Sequence, residues 1–422
     1  MKENVFSKYR YASHYKKLLS ACFFFYFCTM AIKLVYSVQL VEIVRDFQTT
    51  KTDVSTSLTL YYFIYAAAQM LLSVLLPKIN VKRYVTITTI LSAISFGLIG
   101  VAGELWQLWL ILGLNGIFQS ASWGVIPIII GKYFPDDTIS YSIKILAMGF
   151  PVSNAVAYAI SAFFVQFFSW KLTFVFFAVL YVVALFNMLY QEKALEKVVR
   201  NGSELYFEPE NAEEAFVVPE GVKFNVKLFV FFLCVTALFM NILQYGMANW
   251  IPNLLTEIHA FPPSLSILIT FIMPLIALFA TVVAYKIFDK THKVMKYAVV
   301  STFFSFLIFA VLIVTYDINM PVAILLTSGA RFLVSVMLSA TGGAYTLMKF
   351  KHQLDVGRSN LALNAMSAAG AGVAPFVTGA IMDASGWRAY YIFLTAIALL
   401  SLLITAIGYF AIKKKKNISD YI

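Results

Sequence analysis

Charged residues are scarce in this chain. Of its 422 residues, 13% are Asp, Glu, Lys or Arg and 61% are hydrophobic. A soluble domain carries roughly 25% charged and 45–50% apolar residues. A soluble fold could not keep so much apolar surface away from water, so the composition excludes an ordinary globular protein. It favours a chain that crosses a lipid bilayer many times.

Cysteine and histidine are also few. The three cysteines, Cys22, Cys28 and Cys234, lie in apolar segments, and the four histidines lie in loops or in the N-terminal tail. Neither set has the spacing of a metal site or of a disulfide framework. The sequence also has no nucleophile paired with a base and no phosphate-cradling loop. We therefore expect no metal and no cofactor, and an enzyme is the least expected class.

Long apolar runs dominate the sequence. A helix needs about 20 residues to cross a hydrocarbon core about 30 Å thick, and twelve runs meet that length. The sequence predicts an all-α membrane protein with twelve transmembrane helices. The predicted spans are residues 18–44, 54–76, 84–103, 105–130, 142–168, 172–190, 228–254, 264–287, 297–316, 322–348, 361–381 and 389–412.

The positive charges follow this division of the chain. If both termini are cytoplasmic, the inner segments together with the inner ends of the spans hold all but six of the 32 Lys and Arg residues. Cytoplasmic loops of membrane proteins carry such an excess. The net charge of +11 then reflects topology in the cytoplasmic (inner) cell membrane, and we expect no nucleic-acid partner. The basic run at 413–416 is expected to anchor the chain at the inner surface.

The longest polar interval divides the spans into two groups of six. Residues 191–225 predict a cytoplasmic linker between bundles at 18–190 and 226–412. Residues 1–17 and 413–422 are the predicted cytoplasmic tails. The stretches "SWKLTFVF" from Ser169 and "GWRAYYIF" from Gly386 each open the last helix of a half. Two six-helix repeats around a central cavity are typical of a secondary transporter.

Three stretches resemble one family of transporters. They are "NGIFQSASWGVIPIIIGKYF" at 115–134, "QYGMANWIPNLL" at 244–255 and "GAIMDASGW" at 379–387. The chain resembles the major facilitator superfamily, and these stretches are similar to its organophosphate/phosphate antiporter branch, which includes glycerol phosphate and hexose phosphate transporters. This resemblance implies the major facilitator fold, with a cavity lined by the first, fourth, seventh and tenth helices.

The resemblance also marks candidate gating residues. After its second helix the superfamily has an acidic and basic loop, and here that loop reads "SVLLPKINVKR", with Pro77 at the acidic position. The corresponding loop after the eighth helix keeps an acidic and a basic residue. The implied gating residues are Lys78, Arg83, Asp289 and Lys290, and Lys82 takes a further basic position.

The antiporter branch binds phosphate with two arginines, one each from the first and seventh helices. In this sequence Lys33 stands at or beside the first position, and Gln244 occupies the second. Arg331 supplies a cation in the tenth helix instead. The resemblance implies an anion site, and the residues of this chain predict that its positive pair lies on the first and tenth helices instead of the first and seventh.

Polar residues predicted to lie at mid-membrane depth define a candidate site independently of the family resemblance. At about 1.5 Å per residue, Lys33, Gln119, Gln244 and Arg331 all lie near the middle of their spans. Helical spacing places further polar and aromatic side chains on the same faces. The predicted substrate-binding residues are Lys33, Tyr36, Gln119, Trp123, Asn241, Gln244, Tyr245 and Arg331.

The charges of this set indicate the substrate. None of the 21 Asp and Glu residues falls in the middle of a predicted span, and two buried cations without a counter-ion are costly. An anionic substrate would neutralise Lys33 and Arg331, so we expect a small organic anion such as an organophosphate or a carboxylate. An empty site with two cations should resist closing, which favours anion exchange by alternating access.

Other interpretations stay open. Lys33 can snorkel toward the surface, Arg331 can pair with backbone carbonyls, and the buried amides can bridge helices. The chain can also be a transporter-like membrane sensor of such a ligand or an exporter of amphipathic compounds. For each of these, we expect a monomer in a lipid bilayer.

Overall fold

Helices account for all the regular structure that is described. The computed structural model describes residues 11–75, 79–120, 125–135, 148–200, 226–291, 293–341 and 356–413, with a few single residues outside these ranges. No strand occurs among them. A segment in lipid must satisfy its backbone N–H and C=O groups internally, and a helix does so along its own length.

The chain forms two compact units. Unit 1 contains Met1–Ser37 and Ile64–Glu214, and unit 2 contains Val38–Phe63 and Ala215–Ile422. The segment at 38–63 thus groups with the second half of the chain. The boundaries at 18–190 and 226–412 for the two bundles stay a prediction.

The first half of the chain forms eight described helices, of which the third runs from unit 2 into unit 1. They are α1 (Ala12–Val38), α2 (Leu40–Asp46), α3 (Lys51–Leu75), α4 (Val81–Leu98, followed by a 3-10 turn at Ile99–Val101), α5 (Leu105–Gln119), α6 (Val125–Tyr133), α7 (Gly149–Phe167) and α8 (Trp170–Arg200).

The second half of the chain continues in unit 2. Its helices are α9 (Val226–Ala248), α10 (Ile251–Glu257), α11 (Pro263–Thr270), α12 (Ile272–Thr291), α13 (Val294–Thr315), α14 (Met320–Thr341) and α15 (Val356–Lys413).

Nine helices in the described part of the chain are long and apolar enough to cross a membrane. One of them, at 362–411, has 50 residues, which is about 75 Å at 1.5 Å per residue and more than twice the hydrocarbon thickness. Gly386 interrupts it with φ 76° and ψ −175°. A positive φ is readily available to glycine, so α15 contains the last two predicted spans. The total of twelve spans and the cytoplasmic termini stay predictions.

Four predicted spans are divided where the sequence suggested continuous helices. The first divides at Gln39, the fourth between α5 and α6, the seventh between α9 and α10, and the eighth between α11 and α12. In the last three cases the second helix has a proline in its first turn, where the missing N–H costs nothing. These prolines are Pro127, Pro252 and Pro274.

Glycine allows α9 and α15 to pack closely in unit 2. A Cβ added to Gly370 would overlap the Leu238 carbonyl oxygen and would lie 3.1 Å from the Asn241 Cβ. Nearby, Trp250 Nε1 donates a hydrogen bond to Thr378 Oγ1 at 2.9 Å. This close contact therefore requires a residue without a side chain on α15.

Replacing Gly370 should destabilise the protein. The Gly370→Ala variant must push α9 away from α15, and overpacking of this kind costs roughly 1–3 kcal/mol. We expect a lower melting temperature for the purified variant, followed by intrinsic fluorescence.

Gly97→Ala is the matched control. Gly97 also lies in a helix, but nothing is within 4 Å of an added Cβ. Alanine is favoured over glycine in a helix by roughly 0.5–1 kcal/mol, so this variant should melt at the same or a higher temperature. Equal melting temperatures for the Gly370→Ala variant and the parent would contradict the close packing.

Candidate functional site

Lys33 contacts an aromatic ring inside unit 1. It lies on α1, is half-buried, and its Nζ is 4.0 Å from the centroid of the Tyr65 ring on α3. The electron-rich face of an aromatic ring attracts an ammonium group, more strongly where water is excluded. Tyr65 therefore lowers the cost of placing Lys33 in an apolar span.

Tyr65 is itself held by hydrogen bonding. Gln69, one turn further along α3, donates from Nε2 to the Tyr65 hydroxyl at 2.8 Å. The same Nε2 lies 3.4 Å from the Ser120 carbonyl oxygen, just beyond the end of α5. The sequence places Tyr65 and Gln69 four residues apart on one helical face, but this spacing alone does not identify Lys33 as a neighbour.

Gln119 joins two helices of unit 1. Its side chain is fully buried, and its Nε2 donates to Ser92 Oγ on α4 at 3.3 Å. Ser92 Oγ in turn donates to Asn115 Oδ1 at 2.6 Å. These hydrogen bonds match the helix-bridging alternative for the buried amides, and a role for Gln119 in binding stays a prediction.

Tyr36 and Trp123 are the aromatic candidates in the first half of the chain. Tyr36 is buried, and its ring centroid is 6.4 Å from that of Phe174 on α8. Trp123 lies outside the described residues. Tyr36 thus packs within unit 1, and the predicted contact of either side chain with a substrate is untested.

Four candidates belong to unit 2. Asn241 and Gln244 are buried on α9, and Asn241 Nδ2 donates to the Ala237 carbonyl oxygen at 2.8 Å. Tyr245 is half-buried, with its ring centroid 5.7 Å from that of Tyr62 on α3. Arg331 is only 5% exposed on α14, which packs against α9. Unit 2 therefore has a buried guanidinium on a helix adjacent to the one with the two amides.

The side chains of two of the four implied gating residues are described. Arg83 is exposed in the first turn of α4, where its backbone N–H donates to Asn80 Oδ1 at 3.0 Å. Lys290 is exposed in the last turn of α12. Lys78 and the side chain of Asp289 lie outside the described residues. A gating role for these four residues stays a prediction.

An ion pair at the predicted inner end of unit 1 escaped the sequence analysis. Lys82 Nζ lies 2.8 Å from Glu192 Oε2, and the Tyr133 hydroxyl donates to Glu192 Oε1 at 3.4 Å. Glu192 is 5% exposed, so its charge is largely removed from water. The sequence contained one signal for this ion pair. Lys82 follows the second predicted span with no acidic residue close to it in the sequence, so an acidic partner would have to come from another helix.

The cysteines are consistent with their assignment as packing residues. Cys22, Cys28 and Cys234 are buried free thiols. Among the described side chains, no group of three or more His, Cys, Asp or Glu residues could hold a metal ion.

Comparison with known proteins decides the family. The family model of the Major Facilitator Superfamily matches residues 19–353, which is most of the chain. The chain belongs to the major facilitator superfamily. It is therefore a transporter and not an enzyme, and it is a multi-pass membrane protein.

Solved structures of other transporters share the fold of this superfamily member. A bacterial homolog of the human lysosomal transporter Spinster, inward-facing and occupied, has 14% identity and a TM-score of 0.71, covering 95% of this chain and 98% of that chain. A D-xylose-proton symporter has 11% identity and a TM-score of 0.74, covering 96% and 99%. The nucleoside transporter NupG has 11% identity and a TM-score of 0.66, covering 93% and 98%. No curated protein matches the chain in sequence.

The contact between Lys33 and Tyr65 can be measured without knowing the substrate. Tyr65→Phe keeps the ring beneath the ammonium group, whereas Tyr65→Leu removes it. A cation–π contact contributes about 0.5–2 kcal/mol, so the leucine variant should melt at a lower temperature than the phenylalanine variant.

A Lys33→Met background separates this contact from general packing. Without the ammonium group, the difference in melting temperature between Tyr65→Leu and Tyr65→Phe should shrink. An unchanged difference would mean that the ring contributes packing alone.

Proposed function

We propose that this transporter moves a small organic anion, such as an organophosphate, a sugar acid or another carboxylate, by anion exchange. The observation that carries the proposal is the charge inventory of the spans. Lys33 and Arg331 are cations near the middle of predicted spans, and no Asp or Glu of the sequence lies at that depth. A substrate anion would bring negative charge to that depth.

The surroundings of the two cations support this role. Lys33 contacts the face of Tyr65, a weak partner that a carboxylate or phosphate can replace. Arg331 is 5% exposed, and a buried guanidinium presents a planar fork that matches the two oxygens of a carboxylate or phosphate. Each of these two cations is thus suited to an anion.

The other predicted substrate-binding residues would give selectivity. Gln244 and Asn241 are buried on α9, and amides of this kind hydrogen-bond hydroxyl or carbonyl groups of a ligand. Tyr245 and Trp123 would pack against its carbon skeleton. The resemblance of 115–134, 244–255 and 379–387 to the organophosphate/phosphate antiporter branch supports a phosphorylated or carboxylated metabolite as substrate. We place the transporter in the cytoplasmic (inner) cell membrane, as a monomer.

Charge also favours exchange over proton symport. A carboxylate at mid-membrane depth is the usual carrier of a symported proton, and the predicted spans have none. An empty site that holds two cations is costly to enclose, because closing it removes both charges from water without a compensating negative charge. Reorientation is therefore favoured when an anion is bound, which couples outward and inward movement of anions.

Removing either cation should abolish transport. The purified protein is first screened by thermal shift against a sugar phosphate, an alkyl phosphonate, a hexuronate and a dicarboxylate, because a bound ligand stabilises the folded state. Uptake of the stabilising compound into loaded liposomes should fall at least tenfold for Lys33→Gln and for Arg331→Gln. Normal uptake by either variant would overturn the proposal.

Charge-matched controls are available in each unit. Lys193 on α8 and Arg388 on α15 are exposed, so Lys193→Gln and Arg388→Gln remove one positive charge without touching a span interior. Both should transport like the parent. A loss of uptake in these controls as well would point to a general effect of net charge.

Exchange itself is a separate expectation. Labelled anion should enter liposomes that contain unlabelled anion, and it should enter slowly when the liposomes contain only buffer. A membrane sensor would bind the anion without counterflow. Equal entry into loaded and empty liposomes would contradict obligatory exchange.

A further inference from the structure

Side chains from the second half of the chain hold the N-terminal end of α3 within unit 2. Asp383 Oδ2 accepts hydrogen bonds from the Thr52 backbone N–H at 2.8 Å and from its hydroxyl at 2.6 Å. Glu257 Oε1 lies 2.9 Å from Lys51 Nζ, and Glu257 Oε2 accepts from Trp387 Nε1 at 3.0 Å. We call these five residues the outer latch.

Asp383 acts as a cap on α3. The first N–H groups of a helix have no partner within the helix and carry partial positive charge. In α3 the Asp53 N–H donates a hydrogen bond locally, to Thr50 Oγ1 at 3.1 Å. The Lys51 N–H instead donates to Asp383 Oδ1 at 3.4 Å, so Asp383 accepts from two consecutive backbone N–H groups. A cap usually comes from a residue next to the helix. Here it comes from a residue 331 positions away from Thr52.

The second carboxylate of the outer latch serves two partners at once. Lys51 Nζ, which is bonded to Glu257, also lies 5.9 Å from the centroid of the Trp387 ring. The Lys51 side chain is 14% exposed and Trp387 is buried. An isolated surface ion pair contributes little, but this one is partly removed from water and shares its acid with an indole N–H. Moving Lys51 away would break these contacts together.

The helices approach closely beside the outer latch. A Cβ added to Gly379 would lie 3.1 Å from Ser55 Oγ and 3.2 Å from the Lys51 carbonyl oxygen. One turn further, Thr59 Oγ1 donates to the Gly372 carbonyl oxygen at 2.8 Å. Small residues on α15 therefore leave room for the backbone of α3 over its first turns, without large interlocking side chains.

We propose that the outer latch locks the predicted outer end of the transporter closed, and that release of the Asp383 and Glu257 carboxylates is required for that end to open. The topology inferred from charge places Lys51 and Arg388 on the outer side. Because α3 continues unbroken from Lys51 to Leu75, a shift of the rest of this helix acts directly on the outer latch at its N-terminal end. The lock does not depend on which substrate is carried.

A cysteine at position 55 reports on the outer latch. Ser55 is fully buried beside α15, so Ser55→Cys should react slowly with a maleimide while the lock is closed. The protein is placed in lipid nanodiscs, which expose both faces to the reagent, and its native cysteines are replaced by alanine. In this background Asp383→Asn should raise the labelling rate of Cys at this position by roughly three- to tenfold, because it removes charge-assisted hydrogen bonds.

Asp317→Asn provides the matched control. Asp317 is an exposed carboxylate of unit 2 between α13 and α14, also on the predicted outer side, and its loss should leave labelling unchanged. A second reporter, Thr302→Cys, lies fully buried on α13 and should stay unreactive in the Asp383→Asn variant. Equal labelling with Asp383→Asn and Asp317→Asn, or a parallel rise at the second reporter, would overturn the proposal.

Thr52→Val tests whether the effect passes through the cap. This substitution removes the hydroxyl that donates to Asp383, so it should also speed labelling, and the double variant should not exceed the faster single variant. Rates that multiply would show that Asp383 acts elsewhere and would contradict the lock. Failure of the lock leaves anion counterflow untouched, so the two proposals are tested separately.

Discussion

Hydrocarbon provides no hydrogen-bond partner for a backbone N–H or C=O, and the architecture of this transporter depends on that constraint. Its regular structure is helical throughout the part that is described. The same constraint explains the behaviour of hydroxyl side chains inside the spans. Thr302 and Thr405 each donate to the carbonyl oxygen four residues earlier in their own helix, so these hydroxyl groups find an acceptor within the helix.

Charge is subject to the same constraint, and the protein meets it in different ways. Inside the first span, Lys33 lies over the ring of Tyr65. At the helix ends, Lys82 pairs with Glu192 and Lys51 with Glu257. The interior cation has an aromatic partner where the cations at helix ends have acids. An aromatic partner attracts the ammonium group of Lys33 without cancelling its positive charge, as a carboxylate would.

Sequence reasoning was strongest where the signal is local. Apolar length predicted a helical membrane protein, the two six-helix repeats predicted a secondary transporter, and the family match confirms the superfamily that the chain resembles. It was weaker where a helix breaks. The run at 228–254 predicts one span, but α9 ends at Ala248 and α10 begins at Ile251, with Pro252 in the first turn of the second helix. Hydropathy averaged over a window of residues does not detect the missing backbone N–H of a single proline.

The sequence by itself determined the class of the protein, because this follows from composition and from the length of the apolar runs. The charges within its spans and the depth of Lys33 and Arg331 are predictions from counting along each helix. Only the tertiary structure decided which side chains meet. It pairs Gln119 with Ser92, Lys33 with Tyr65 and Thr52 with Asp383. The partners lie 27, 32 and 331 positions apart in the sequence. The rotation and tilt of each helix set such contacts, and these depend on packing against neighbouring helices rather than on the helix's own sequence.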